Sequence, residues 1–156
     1  MRAVRSCLAL ALAVAVGACG TNEPVDREVP ETVLGPITVE YSFSVVGTLQ
    51  KPLLSYTDAD GTVVTVVDER SFPSSPFRLR LPPNATGDFF IAVGGNLTGS
   101  GLVRTRIRAT QEVTRPGEDP SIADIGTDAA DDSPDGASSA VRARSELTVA
   151  PVSVND

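Results

Sequence analysis

From Ile37 the chain alternates without a break, with Ile37, Val39, Tyr41, Phe43 and Val45 set against Thr38, Glu40, Ser42 and Ser44. A period of two places every apolar side chain of this run on one face of a pleated strand. A helix would need its apolar residues to recur every three to four positions, and no such stripe occurs after the N-terminal segment. Further strand signals follow along the chain. Leu53 to Thr57 and Thr62 to Asp68 flank Asp58-Ala59-Asp60-Gly61, and an Asp-Gly pair between β-rich runs predicts a hairpin, because glycine adopts positive φ at little cost. After the breaks at Pro73 and Pro76, Phe77, Leu79 and Leu81 alternate with Arg78 and Arg80. Asp88 to Val93 reads as a buried strand, and Leu102 to Val113 alternates Val103, Thr105, Ile107 and Ala109 with Arg104, Arg106 and Arg108.

Residues 116–139 break the pattern. This stretch carries six Asp and one Glu with no visible period, and predicts a mobile, disordered acidic insertion. Alternation resumes in Val141, Ala143, Leu147 and Val149, so the insertion lies inside the domain, before a last strand. Seven short strands separated by turn signals predict an all-β domain over 35–154, an immunoglobulin-like two-sheet antiparallel sandwich, with a small closed barrel as the alternative.

Ahead of the domain, Arg2 and Arg5 precede an apolar run from Cys7 to Val16, followed by Gly17-Ala18-Cys19. That run is shorter than the roughly 20 residues needed to span a bilayer. Basic start, short apolar stretch and small residues before a cysteine make a secretory signal with a lipobox over 1–18, so Cys19 is expected to carry a diacylglycerol. Residues 19–34 then read as a flexible tether of Pro, Glu, Asp and Asn. The expected location is the bacterial cell envelope, held to the membrane through Cys19. Gly20 is not the Asp that retains lipoproteins at the inner membrane of enteric bacteria, so in a two-membrane cell the outer membrane is the expected site.

Composition narrows the chemistry. The precursor has 13 Lys and Arg against 20 Asp and Glu, a net charge of −7, and the signal takes two of its arginines away. So acidic a chain is not expected to bind nucleic acid. It has no histidine, its only cysteines are Cys7 and Cys19, and Lys51 is its only lysine. After maturation no free thiol or imidazole remains for a zinc, copper or iron site, or for Ser-His-Asp or Cys-His catalysis. The domain is therefore expected to be non-catalytic. A carboxylate-based envelope hydrolase remains the less favoured alternative, with Glu40 and Asp88 as its acids; such a pair must face one cleft about 5–10 Å apart.

Two groups of residues could bind a ligand. Arg78, Arg80, Arg104, Arg106, Arg108, Arg142 and Arg144 occupy outward positions of three strands, and if those strands share a sheet they form an arginine ladder. Guanidinium forks suit phosphate and carboxylate, so an anionic lipid or an acidic envelope protein is the expected partner. Asp131, Ser133 and Asp135 follow the Asp-x-Ser-x-Asp-Gly spacing that opens calcium loops. No cofactor is expected, and calcium at these three residues is the alternative. Arg142 stands where such a loop needs a bidentate Glu.

Part of the chain resembles the soluble domain of the mycobacterial small membrane protein (MmpS) family. The matching residues are Tyr41-x-Phe43-x-Val45 before Gly47, Ser55-Tyr56-Thr57-Asp58-Ala59-Asp60-Gly61, Leu81-Pro82, Phe90-Ile91-Ala92-Val93 and Arg106-Ile107. The resemblance implies a β-sandwich accessory subunit of a lipid-exporting transporter. The chain differs from that family in its lipobox, its acidic 116–139 segment and a domain without cysteine.

Overall fold

The computed structural model describes residues 31–134 and 139–154. They form an all-β fold of six antiparallel strands: β1 (Val33–Thr57), β2 (Val63–Val66), β3 (Phe77–Leu81), β4 (Gly87–Thr114), β5 (Ser121–Asp132) and β6 (Ala140–Val149). One three-residue 3₁₀ turn at Glu69–Ser71 interrupts them.

The six strands are hydrogen-bonded as a single sheet, where two separate sheets and seven strands were expected. The difference comes from continuity. The runs at 37–45 and 53–57 are two halves of β1, and those at 88–93 and 102–113 are two halves of β4. These long strands pair along most of their lengths, from Val33 opposite Thr114 to Tyr56 opposite Ile91. The register slips between Val46 and Thr48 and again between Gln50 and Leu53. Such bulges bend a strand and increase its twist.

The bend is large enough to fold the sheet onto itself. The Tyr41 hydroxyl donates a 2.7 Å hydrogen bond to the carbonyl of Thr57, sixteen residues along the same strand. A straight strand would separate those residues by roughly 50 Å, several times the reach of a tyrosine side chain. The first half of β1 and the second half of β4, flanked by β3 and β5, therefore face the second half of β1 and the first half of β4, flanked by β2 and β6. Ile37, Val39, Tyr41, Val103 and Ile107 from one half pack into one core with Leu54, Ile91, Val93, Val141 and Val149 from the other.

Glycine makes the fold-over possible. A Cβ on Gly101 would lie 2.1 Å from the carbonyl oxygen of Val46, beside the register slip between the two paired long strands. Gly101→Ala is expected to lower stability by about 1–3 kcal/mol, because backbone must move to admit one methyl group. Unchanged thermal unfolding in this variant would mean that the paired strands have more room at the bend.

Polar groups inside the fold are satisfied in ways that tie distant segments together. Fully buried Gln111 donates to the carbonyls of Gly35 and Pro83 and accepts from the amide of Val152, so one side chain fixes the start of β1, the turn after β3 and the C-terminal segment. Thr105 on β4 and Ser145 on β6 share a 2.8 Å hydrogen bond across the core. Tyr41, Tyr56 and Phe77 form a ring cluster with centroids 5.0 to 6.0 Å apart. Phe43 lies on the same face as Tyr41 but is only half-buried, packed edge-on against Phe72 at 5.9 Å.

The acidic segment differs most from expectation. Residues 121–132 are not a disordered loop; they form β5, in register with β4 from Val103 opposite Asp132 to Val113 opposite Ser121. Its carboxylates have partners, which is why so acidic a strand is tolerated. Asp124 and Asp131 point outward to Arg108 and Arg104. Asp128 and Asp132 accept hydrogen bonds from the backbone amides of Glu146 and Arg142, at 2.8 and 2.6 Å. Those amides belong to β6, which β5 approaches without forming a backbone ladder. Two aspartates thus take the place of carbonyls along the seam between the edge strands.

Candidate functional site

The outward surface of β3, the first half of β1, the second half of β4 and β5 gathers most of the arginines named above. Register sets them in rows. Arg80 stands opposite Thr38, and Arg78 opposite Glu40, which is itself opposite Arg108. Ser42 lies beside Arg106 and Ser44 beside Arg104 on β1, while Ala129 and Asp131 flank the same two arginines on β5. Alternation spaces Arg104, Arg106 and Arg108 about 6.6–6.8 Å apart along β4.

Three of these five arginines meet carboxylates. Arg78 bonds Glu40 at 2.6 Å, Arg108 bonds Asp124 at 3.2 Å, and Arg104 sits 3.8 Å from Asp131. Among the described residues, Arg80 and Arg106 have no carboxylate partner. Arg106 is distinctive because both its neighbours are small: Ser42 on one side and Ala129 on the other. The short side chains leave an open cleft of about 400 Å³ beside it, bordered by Ser42, Ser44, Arg104, Ala129 and Asp131.

Arg142 and Arg144 do not join this group. They lie on β6, which pairs with the first half of β4, so the fold-over turns their surface away from the other five. The Arg144 guanidinium stacks 4.0 Å from the centre of the Phe90 ring and pairs with Glu146, which anchors it to its own half of the sheet.

The calcium-type spacing does not form a loop where it can be followed. Asp131 lies in β5 facing Arg104, and its neighbour Asp132 turns the other way to bond β6. Ser133 follows the end of β5, and Asp135 lies outside the described residues. Among the described residues no group of three acids, cysteines or histidines converges as a metal site. In the β1–β2 hairpin, the Asp60 carboxylate accepts from both the amide and the hydroxyl of Thr62, at 2.9 and 2.6 Å. Those bonds, the hydroxyl's first, hold its pKa below the usual carboxylate range, and they account for Asp60 as a turn residue.

Glu40 and Asp88 do not form an acid pair. Glu40 is engaged by Arg78 on one half of the sheet, and Asp88 accepts from the Thr148 hydroxyl on the other. Cys19 lies outside the described residues, and among those described no helix is long and apolar enough to cross a membrane.

Sequence reasoning placed the arginines on outward faces but missed the strand that supplies their partners. The available signal was faint: Ala123, Asp128, Ala130 and Asp132 alternate with Asp124, Thr127, Ala129 and Asp131 around a bulge at Ile125. Ala and Asp are both poor strand formers, so propensity argued against the assignment. Comparison of the chain with protein-family models, curated proteins and solved structures finds no match.

Proposed function

We propose that this protein is a lipid-anchored component of the bacterial cell envelope whose β domain is a non-catalytic binding module, working through the arginine face of β4. The observation that carries this reading is the row Arg104, Arg106 and Arg108 on an exposed surface of an otherwise acidic chain, with no carboxylate set against Arg106 among the described residues. Like charges held this close repel one another unless something anionic lies among them. Asp124 and Asp131 answer two of the three, and an external anion answers the third. The lipobox supports a location at the membrane surface, where anionic head groups are abundant.

The test compares the full chain with a variant carrying Arg104→Gln, Arg106→Gln and Arg108→Gln. The lipid anchor contributes equally to vesicles of any head group, so the informative quantity is the preference for phosphatidylglycerol over phosphatidylcholine vesicles. The parent is expected to prefer the anionic vesicles, with an advantage that falls as salt rises. The triple variant should lose most of that preference while unfolding at nearly the same temperature, since exposed ion pairs contribute only about 0–1 kcal/mol each. An unchanged preference in the variant would remove the arginine face from the function.

A further inference from the structure

We infer that the cleft beside Arg106 is a binding site for a phosphate group. This rests on the reading of the arginine face as the binding surface and assigns its ligand chemistry. Four features converge on the cleft. Arg106 offers a planar fork of N–H donors with no carboxylate set against it among the described residues. Arg104 borders the same space and is held only at 3.8 Å by Asp131, so its guanidinium can turn toward a closer anion. Ser42 and Ser44 add two hydroxyls, and neither hydroxyl has a hydrogen bond to another described residue. On the β5 side, Ala129 occupies the register position opposite Arg106, where an acid would have closed the row.

The donor set favours phosphate over carboxylate. Two guanidinium forks and two hydroxyls surround a single cleft, more directions than the two oxygens of a carboxylate can meet together. A phosphate presents three or four oxygens in a tetrahedral array and carries more charge. At about 400 Å³ and open to solvent, the cleft also has room for whatever the phosphate esterifies. Ala129 contributes a methyl surface at its edge, suited to a carbon-bearing ester.

The experiment uses the full chain with its anchor in phosphatidylcholine nanodiscs, so that membrane attachment is constant. Inorganic phosphate, glycerol 3-phosphate, water-soluble dibutanoyl phosphatidylglycerol and acetate are titrated separately, and the Arg106 side-chain N–H resonance is followed by NMR. At least one phosphate probe is expected to saturate at concentrations where acetate gives no shift. Arg106→Gln should weaken that binding by about tenfold or more, as expected for a lost charge-assisted contact. Arg115→Gln, in a turn away from the face, should leave it unchanged. Tightest binding of inorganic phosphate would assign the site to the free ion, and tightest binding of the lipid analogue to a head group. Binding of acetate as tight as phosphate, or phosphate binding unaltered by Arg106→Gln, would overturn the inference. Neither result would touch the lipid anchor or the preference for anionic vesicles, which are measured independently.

Discussion

Removing residues 117–138 and joining their flanks with a short turn should leave a chain that does not fold. Loop length by itself is cheap, since each doubling changes closure entropy by only about 0.6 kcal/mol, and a true loop could be deleted freely. Residues 121–132 within this segment are instead the partner of half of β4. β5 matches β4 through eleven register positions, from Val103 to Val113. Its Ile125 packs against the core, and its Asp128 and Asp132 cap the amides of β6. Without it, one edge of β4 and one of β6 lie open together, an invitation to intermolecular pairing. Domains of this size are stable by about 5–15 kcal/mol, and loss of a whole strand consumes that margin. Circular dichroism and gel filtration should report a disordered or aggregated variant. A monomeric deletion variant with cooperative thermal unfolding would show that β5 is dispensable.

The second large effect belongs to Tyr41. Its side chain is fully buried, its ring packs on Tyr56 and Phe77, and its hydroxyl ties the first half of β1 to the second. Tyr41→Ala should cost about 3–5 kcal/mol, the range for removing a buried aromatic side chain. Tyr41→Phe keeps the ring and strands the Thr57 carbonyl, at about 1–3 kcal/mol. Half-buried Phe43, by contrast, should cost less than Tyr41 when truncated.

Burial above all, then the Asp58 carboxylate and Tyr56, push the pKa of the Tyr41 phenol well above its ordinary value. In the unfolded chain the phenol ionises near pH 10. The stabilisation from keeping it neutral is therefore complete below about pH 10 and declines as pH rises from there through the elevated folded value. The parent's resistance to urea should fall across that alkaline window, and that of Tyr41→Phe should fall less. Identical pH profiles for the two proteins would mean that Tyr41 ionises as readily in the fold as outside it.

The strands themselves were legible because their cue is local. The alternation around Tyr41, the Asp-Gly turn at 60–61 and the arginine-bearing run at 104–108 each describe one strand and its neighbour in sequence. What could not be read was whether two runs are two strands or one bent strand. That depends on contacts such as Gly101 against the Val46 carbonyl and Tyr41 against Thr57, which link residues far apart in the chain. The acidic segment failed for a related reason. Its aspartates look like solvent-seeking loop residues until Arg104 and Arg108 are set opposite them, and only strand pairing brings them there. Sequence likewise put Arg104, Arg106 and Arg108 on one outward face, but could not show the gap at Arg106, which exists because Ala129 falls in register beside it.

The proposed placement of the domain at a membrane rests on Cys19, and mass spectrometry of the mature N-terminus addresses it directly. The protein purified from membranes should begin at Cys19 and carry a diacylglycerol on its sulfur. Each acyl CH₂ buried in the bilayer contributes about 0.8 kcal/mol, so Cys19→Ser should shift the protein to the soluble fraction or leave it unprocessed. An unmodified Cys19, or a mature terminus at any other residue, would contradict the envelope-anchored reading.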